Sequence, residues 1–113
     1  MNNVTLIGRL TREPDIIQGE TPVARYTLAV DRRAAKSEQK ADFISIVAFG
    51  KRAEFAEKYL HKGMKIALSG RIQTGSFVNK DGIKVYTTDV VVENHEFCEA
   101  KKEWEEAEET PFE

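Results

Sequence analysis

One segment of the chain, residues 51–62 (KRAEFAEKYLHK), repeats its apolar residues at helical spacing. The patterned segments before and after it alternate with a period of two. Ala53, Ala56 and Leu60 share one face of this segment, with Phe55 and Tyr59 beside them, which predicts a core-facing helix of about three turns. His61 and Lys62 suit its negative end, and Gly63 suits a terminator. Three strands are predicted before it, at residues 3–10 (NVTLIGRL), 23–30 (VARYTLAV) and 42–49 (DFISIVAF). Two follow, at 64–75 and 83–92, the second extending toward Phe97. Asn79-Lys80-Asp81-Gly82 between them signals a hairpin. Residues 13–22, with two prolines and a glycine, read as a loop, and 32–41 as a long basic connection. Gly8 and Gly70 interrupt strands, where a glycine marks a bend or a close backbone approach.

The order is strand, strand, strand, helix, strand, strand. Five strands in an open sheet would leave two edges. One helix between the third and fourth strands suits a small closed barrel whose open end it plugs. The expected fold is all-β: a five-stranded OB-fold barrel with one short helix between strands 3 and 4. An open sheet with the helix on its face is the alternative. A length of 113 residues suits one domain, with a core large enough to need no staples.

Chemistry is sparse. No serine, cysteine or histidine arrangement suggests a nucleophile, and no glycine-rich loop precedes a Lys-Ser/Thr pair. No catalytic residue and no cofactor is expected. Cys98, His61 and His95 are too few for a zinc site. A single cysteine forms no internal disulfide, which points to the cytoplasm. Gly8 and Arg9 break the first apolar run, so no signal peptide and no membrane partner are expected.

Aromatic and basic residues interleave instead. Phe43 and Phe49, six residues apart on one predicted strand, share a face with Ser45 and Val47, while Ile44, Ile46 and Ala48 make the other face wholly apolar. Core and surface both remain open for these two rings. Phe77 stands before the 79–82 turn among polar residues and reads as exposed; Tyr86 follows the turn. Phe55 and Tyr59 read as core and Tyr26 as structural. Arg32, Arg33, Lys36 and Lys40 crowd the long connection, Lys51 and Arg52 follow Phe49, and Lys80 and Lys84 flank the turn. Flat apolar rings among cations are what unstacked bases and phosphates require.

The net charge of −2 conceals a split: residues 1–92 sum to +5, and residues 100–113 to −4. A mildly basic body carries an acidic tail, and the chain divides accordingly into residues 1–99 and 100–113.

The blocks NNVTLIGRLTREP, VARYTLAVDR, ADFISIVAFGKRAEFAEKYLHKGMKIALSGRIQTGSF and KVYTTDVVVENHEF together resemble the bacterial single-stranded DNA-binding protein family, over residues 1–97. The resemblance implies an OB-fold that assembles as a homotetramer. It implies non-enzymatic wrapping of single-stranded DNA in the cytoplasm, associated with the nucleoid. By position, Phe43, Phe49 and Phe77 match the family's stacking aromatics, and Lys51 and Lys62 match phosphate-contacting positions. Arg32 and Arg33 stand near such positions. Arg71 is added from its place on a strand, not from the family pattern. The family's acidic tip recruits replication, recombination and repair proteins. Glu108, Glu109, Pro111 and Phe112 resemble that tip, with Glu113 following. Two departures stand out. Ala34 is small where an aromatic is common, and residues 100–110 are charged where the family has a long Gly/Gln/Pro-rich linker. The short tail suggests a phage or accessory member. The competing function is an OB-fold adaptor, primosome-like, that binds protein rather than DNA.

Overall fold

In the computed structural model, which describes residues 1–32 and 40–98, the elements are β1 (Val4–Leu10), β2 (Asp15–Ile17), β3 (Val23–Asp31), β4 (Ala41–Phe49), α1 (Lys51–Tyr59), β5 (Lys65–Val78) and β6 (Lys84–Phe97). Hydrogen-bonded neighbours run β1-β5-β6-β4-β3, and β1 pairs a second time with β3, so five strands close into a ring. The β4–β6 pair is parallel, and the other pairs are antiparallel. This is the expected OB-type barrel, with α1 between its third and fourth strands.

Two glycines permit the closure. β1 pairs with β5 from Val4 to Arg9, then with β3 at Arg9 and Leu10. A β-carbon on Gly8 would stand 2.4 Å from the Ala29 carbonyl oxygen, so only glycine lets β1 cross there. One on Gly70 would stand 2.1 Å from the Val91 oxygen, beside the bulge between Ser69 and Gly70 where β5 bends.

β2 corrects the reading of 13–22 as loop throughout. Pro14 and Gly19 bracket Asp-Ile-Ile, and these three residues pair with Arg25, Ala24 and Val23 along the outer side of β3. Ile16 packs against the core from there.

Leu10, Leu28, Ile46, Leu60 and Ile66 are the largest fully buried side chains. α1 packs against β3, β4 and β6, and its buried residues Ala53 and Ala56 are small enough to let the helix axis approach the barrel. The helix stops three residues short of expectation. Leu60 turns to extended backbone, φ −97° and ψ 133°, which buries its side chain, and Gly63 takes a φ of 87° that favours glycine. Tyr59, expected in the core, is 45% exposed. Phe55 already fills the gap, its ring stacked on His95 at 5.3 Å and 5.5 Å from Phe97; Tyr59 lies outside it, at 5.1 Å.

Beneath Phe55, the Tyr26 hydroxyl and His95 Nε2 are 2.7 Å apart. Burial, and then the charge of Arg52, push the His95 imidazole down to about 4. The Arg52 Nε donates to the Glu93 carbonyl at 2.6 Å.

Beyond Ile72, β5 pairs with β6 alone, and the two strands leave the ring as a ribbon. Its turn follows the NKDG signal. Asn79 Oδ1 accepts the N–H groups of Asp81 and Ile83 at 2.9 and 3.0 Å, and Gly82 has a φ of 77°.

Candidate nucleic-acid interface

Paired residues on neighbouring strands share a face. Ile46 pairs with Val90, and both belong to the core, so their neighbours Val47 and Val91, paired with each other, face outward. Period two then carries the outward face along each strand. β3 contributes Arg25, Thr27 and Ala29, and β4 contributes Phe43, Ser45, Val47 and Phe49. β6 contributes Val85, Thr87, Asp89 and Val91, and β5 contributes Arg71, Gln73, Gly75 and Phe77. One continuous face therefore runs from the barrel wall onto the ribbon and holds all three predicted phenylalanines.

The rings are open on that face: Phe43 is 65% exposed, Phe49 39% and Phe77 53%. This settles the choice left by the sequence between core and surface. Six residues of strand place Phe43 and Phe49 about 20 Å apart. Between them Val47, outward but buried, forms with Val91 an apolar floor separate from the core. In register the row reads Arg25, Val47, Val91, Arg71, so the two guanidinium side chains start about 15 Å apart on either side of that floor. Arg25 was missed in the sequence. Its signal was the alternation of VARYTLAV, where Ala24, Tyr26 and Leu28 are buried and Arg25 is exposed.

The other predicted cations divide. Lys51 opens α1 two residues after Phe49 and is exposed. Arg71 is exposed, with Nη1 donating to Gln73 Oε1 at 3.0 Å. Arg32 is committed: Nε and Nη2 donate to Asp42 Oδ1 at 3.0 and 2.8 Å. Lys62 stands off the face, on the turn between α1 and β5. Its backbone N–H donates to Glu13, whose other oxygen lies 2.9 Å from His61 Nδ1. Burial pushes the Glu13 carboxyl up, but the Lys62 N–H, His61 and the Lys62 charge together bring it below its ordinary value. Arg33, Glu108, Glu109, Pro111 and Phe112, like Ala34, lie outside the described residues.

The ribbon's parity also separates Tyr86 from Phe77. Tyr86 pairs with Ser76 on the opposite face, 75% exposed, with the Lys84 ammonium 5.3 Å from its ring centre. Among the described residues no group of His, Cys, Asp and Glu is placed to hold a metal ion, and no helix is long and apolar enough to cross a membrane.

Comparison with known proteins places the chain as a whole. The sequence is 50% identical over 103 residues to the Single-stranded DNA-binding protein of Clostridium perfringens, covering 88% of this chain and 67% of that one. It is 48% identical over 107 residues to Single-stranded DNA-binding protein 2 of Clostridium acetobutylicum, covering 91% and 80%. It is 45% identical over 105 residues to a Single-stranded DNA-binding protein of Staphylococcus aureus, covering 89% and 67%. With a match to the model of the single-strand binding protein family across residues 1–98, which takes in the whole barrel and ribbon, the chain belongs to that family.

Proposed function

We propose that this protein binds and protects single-stranded DNA, largely without regard to sequence and without catalysis, during replication, recombination or repair. The observation that carries the reading is three exposed phenylalanines on one sheet face flanked by arginine and lysine. Bases stack on Phe43, Phe49 and Phe77; phosphates meet Lys51, Arg71 and Arg25. Arg32 contributes once Asp42 releases it; Arg33 and Lys62 join the phosphate contacts on the strength of the sequence resemblance alone. The same exposed rings weigh against an adaptor that has lost its nucleic acid, since such a surface would not need them.

One copy offers a short track, so a longer strand needs several faces, which favours a homotetramer. The acidic tail, through Glu108, Glu109, Pro111 and Phe112, recruits other proteins to the covered strand. The work takes place in the cytoplasm, at the nucleoid.

Fluorescence polarisation of labelled oligo-dT at two salt concentrations, with a duplex as control, tests the reading. Affinity should fall with salt as counterions are displaced, and the duplex should bind far more weakly. Phe77→Ala should cost about 1–3 kcal/mol of affinity with no loss of folding, because the ring is exposed. Absence of binding to oligo-dT at low salt would end the proposal.

A further inference from the structure

The C-terminal end of β6 and the last turn of α1 share an aromatic patch that stays open. The bulge opposite Ser69 and Gly70 shifts the register of β6 by one residue. His95 and Phe97 therefore stand opposite the core residues Leu68 and Ile66, on the helix side and not on the outward face. There the Phe55 ring stacks on His95, 5.5 Å from the Phe97 ring centre and 5.1 Å from that of Tyr59. The two outer rings of this surface are uncovered among the described residues: Phe97 is 51% exposed and Tyr59 45%.

Cations edge the patch. The Lys58 ammonium stands 5.5 Å from the Tyr59 ring centre and makes no ion pair with a described residue. Arg52 reaches from the first turn of α1 to the Glu93 carbonyl, beside His95. The Glu57 carboxylate, next to Lys58, accepts from the Gln18 amide at 3.0 Å, and Glu96 lies on the other side of β6, opposite Ala67.

The sequence supplies an occupant. The described chain ends at Cys98, one residue past Phe97, and residues 99–113 follow. Trp104, the only tryptophan, comes six residues after Cys98, between Glu103 and the pair Glu105, Glu106. Six residues reach about 20 Å at most, ample to return the indole to a patch that begins at Phe97. A tether this short holds the ring at an effective concentration on the order of millimolar. A large flat ring then meets open rings, and three carboxylates meet Lys58 and Arg52.

We propose that Trp104 docks on the Tyr59–Phe97 patch of its own chain, with Glu103, Glu105 and Glu106 toward Lys58 and Arg52. The tail then leaves the barrel from the helix side, away from Phe43, Phe49 and Phe77, and residues 108–112 stay free for other proteins. The docking does not depend on what the outward face binds.

The lone indole reports its own surroundings by fluorescence in the full chain. Its emission should lie to the blue of that from the chain unfolded in guanidinium, and acrylamide should quench it less. Tyr59→Ser removes one of the two open rings, and Lys58→Glu turns attraction into repulsion. Both change exposed side chains, and a melting curve of each confirms the fold. Each should shift the emission to the red and raise the quenching toward the unfolded value. An indole as exposed in the folded wild type as in the unfolded chain overturns the proposal. So does a protected indole that neither variant exposes, because the tail then rests elsewhere. Protection lost on dilution assigns the patch to a tail from another copy, and a red shift on adding oligo-dT assigns the tail to the outward face; either result overturns docking within the chain at this patch.

Discussion

Acidifying the protein from pH 7 to pH 4 should remove up to about 3 kcal/mol of stability through His95 alone. In the unfolded chain the imidazole titrates at its ordinary 6.5; in the fold, burial and then Arg52 hold it at about 4. The folded value is the lower one, so the neutral ring is the form the fold favours. Above 6.5 neither state carries the proton, and the contribution is complete. Between 6.5 and 4 the unfolded chain takes up a proton that the folded chain refuses, and stability falls. Below 4 both states are protonated, and no further loss comes from this group. A gap of about 2.5 pH units at about 1.4 kcal/mol per unit gives the stated size as an upper figure, because the ring is only partly screened from water. The most direct measurement is NMR titration of the His95 ring protons, with His61 in the same spectrum as a second histidine. Denaturant unfolding at pH 7 and pH 4.5, at one fixed protein concentration, reads the energy. Carboxylates such as Glu13 also lose stability on acidification, so wild type is compared with His95→Gln, which keeps an acceptor for the Tyr26 hydroxyl. The wild-type advantage at pH 7 should shrink by about 2–3 kcal/mol at pH 4.5. A His95 midpoint near 6.5, or an advantage independent of pH, would refute the reasoning.

Two further changes probe the interface and the closure. Asp42→Asn releases the Arg32 guanidinium from its ion pair. Single-stranded DNA affinity should rise, and the salt slope on a log–log plot should steepen by about 0.7 for one added phosphate contact; titrations at four salt concentrations would show it. Stability should barely change, since exposed ion pairs contribute about 0–1 kcal/mol. Gly70→Ala drives a methyl group into the Val91 carbonyl. The loss should reach the upper end of the roughly 1–3 kcal/mol typical of overpacking, read as a lowered melting temperature.

Much of the fold was legible because short-range chemistry fixes it. Ile44, Ile46 and Ala48 make one wholly apolar strand face, NKDG admits few alternatives to a turn, and Gly8 and Gly70 announced their close contacts. What stayed hidden depended on partners distant in sequence. Asp15–Ile17 is a strand only because β3 offers it an edge. Tyr59 has the spacing of a core residue, and it is exposed because Phe55 reaches His95 and Phe97 first. Phe43 and Phe49 resolve outward only once Ile46 is known to pair with Val90. Phe77 and Tyr86 flank the same turn, and only the register Phe77–Val85, Ser76–Tyr86 shows that they lie on opposite faces. Lys62 followed a sequence match, whereas its position follows Glu13.

The double pairing of β1 also governs how the chain reaches its fold. The β5–β6 ribbon joins across the short Asn79–Gly82 turn and can form on its own within microseconds. The ring cannot. Val4 must find Gly70, and Val47 must find Val91, each across a long stretch of intervening chain, before the core has a wall to fill. Loop entropy is spent in full before those contacts return anything, which places such barrels in the millisecond-to-second range. Until Leu10 reaches Leu28 the sheet has two open edges, and the interval before that contact is when the chain is most prone to pair with a neighbour instead.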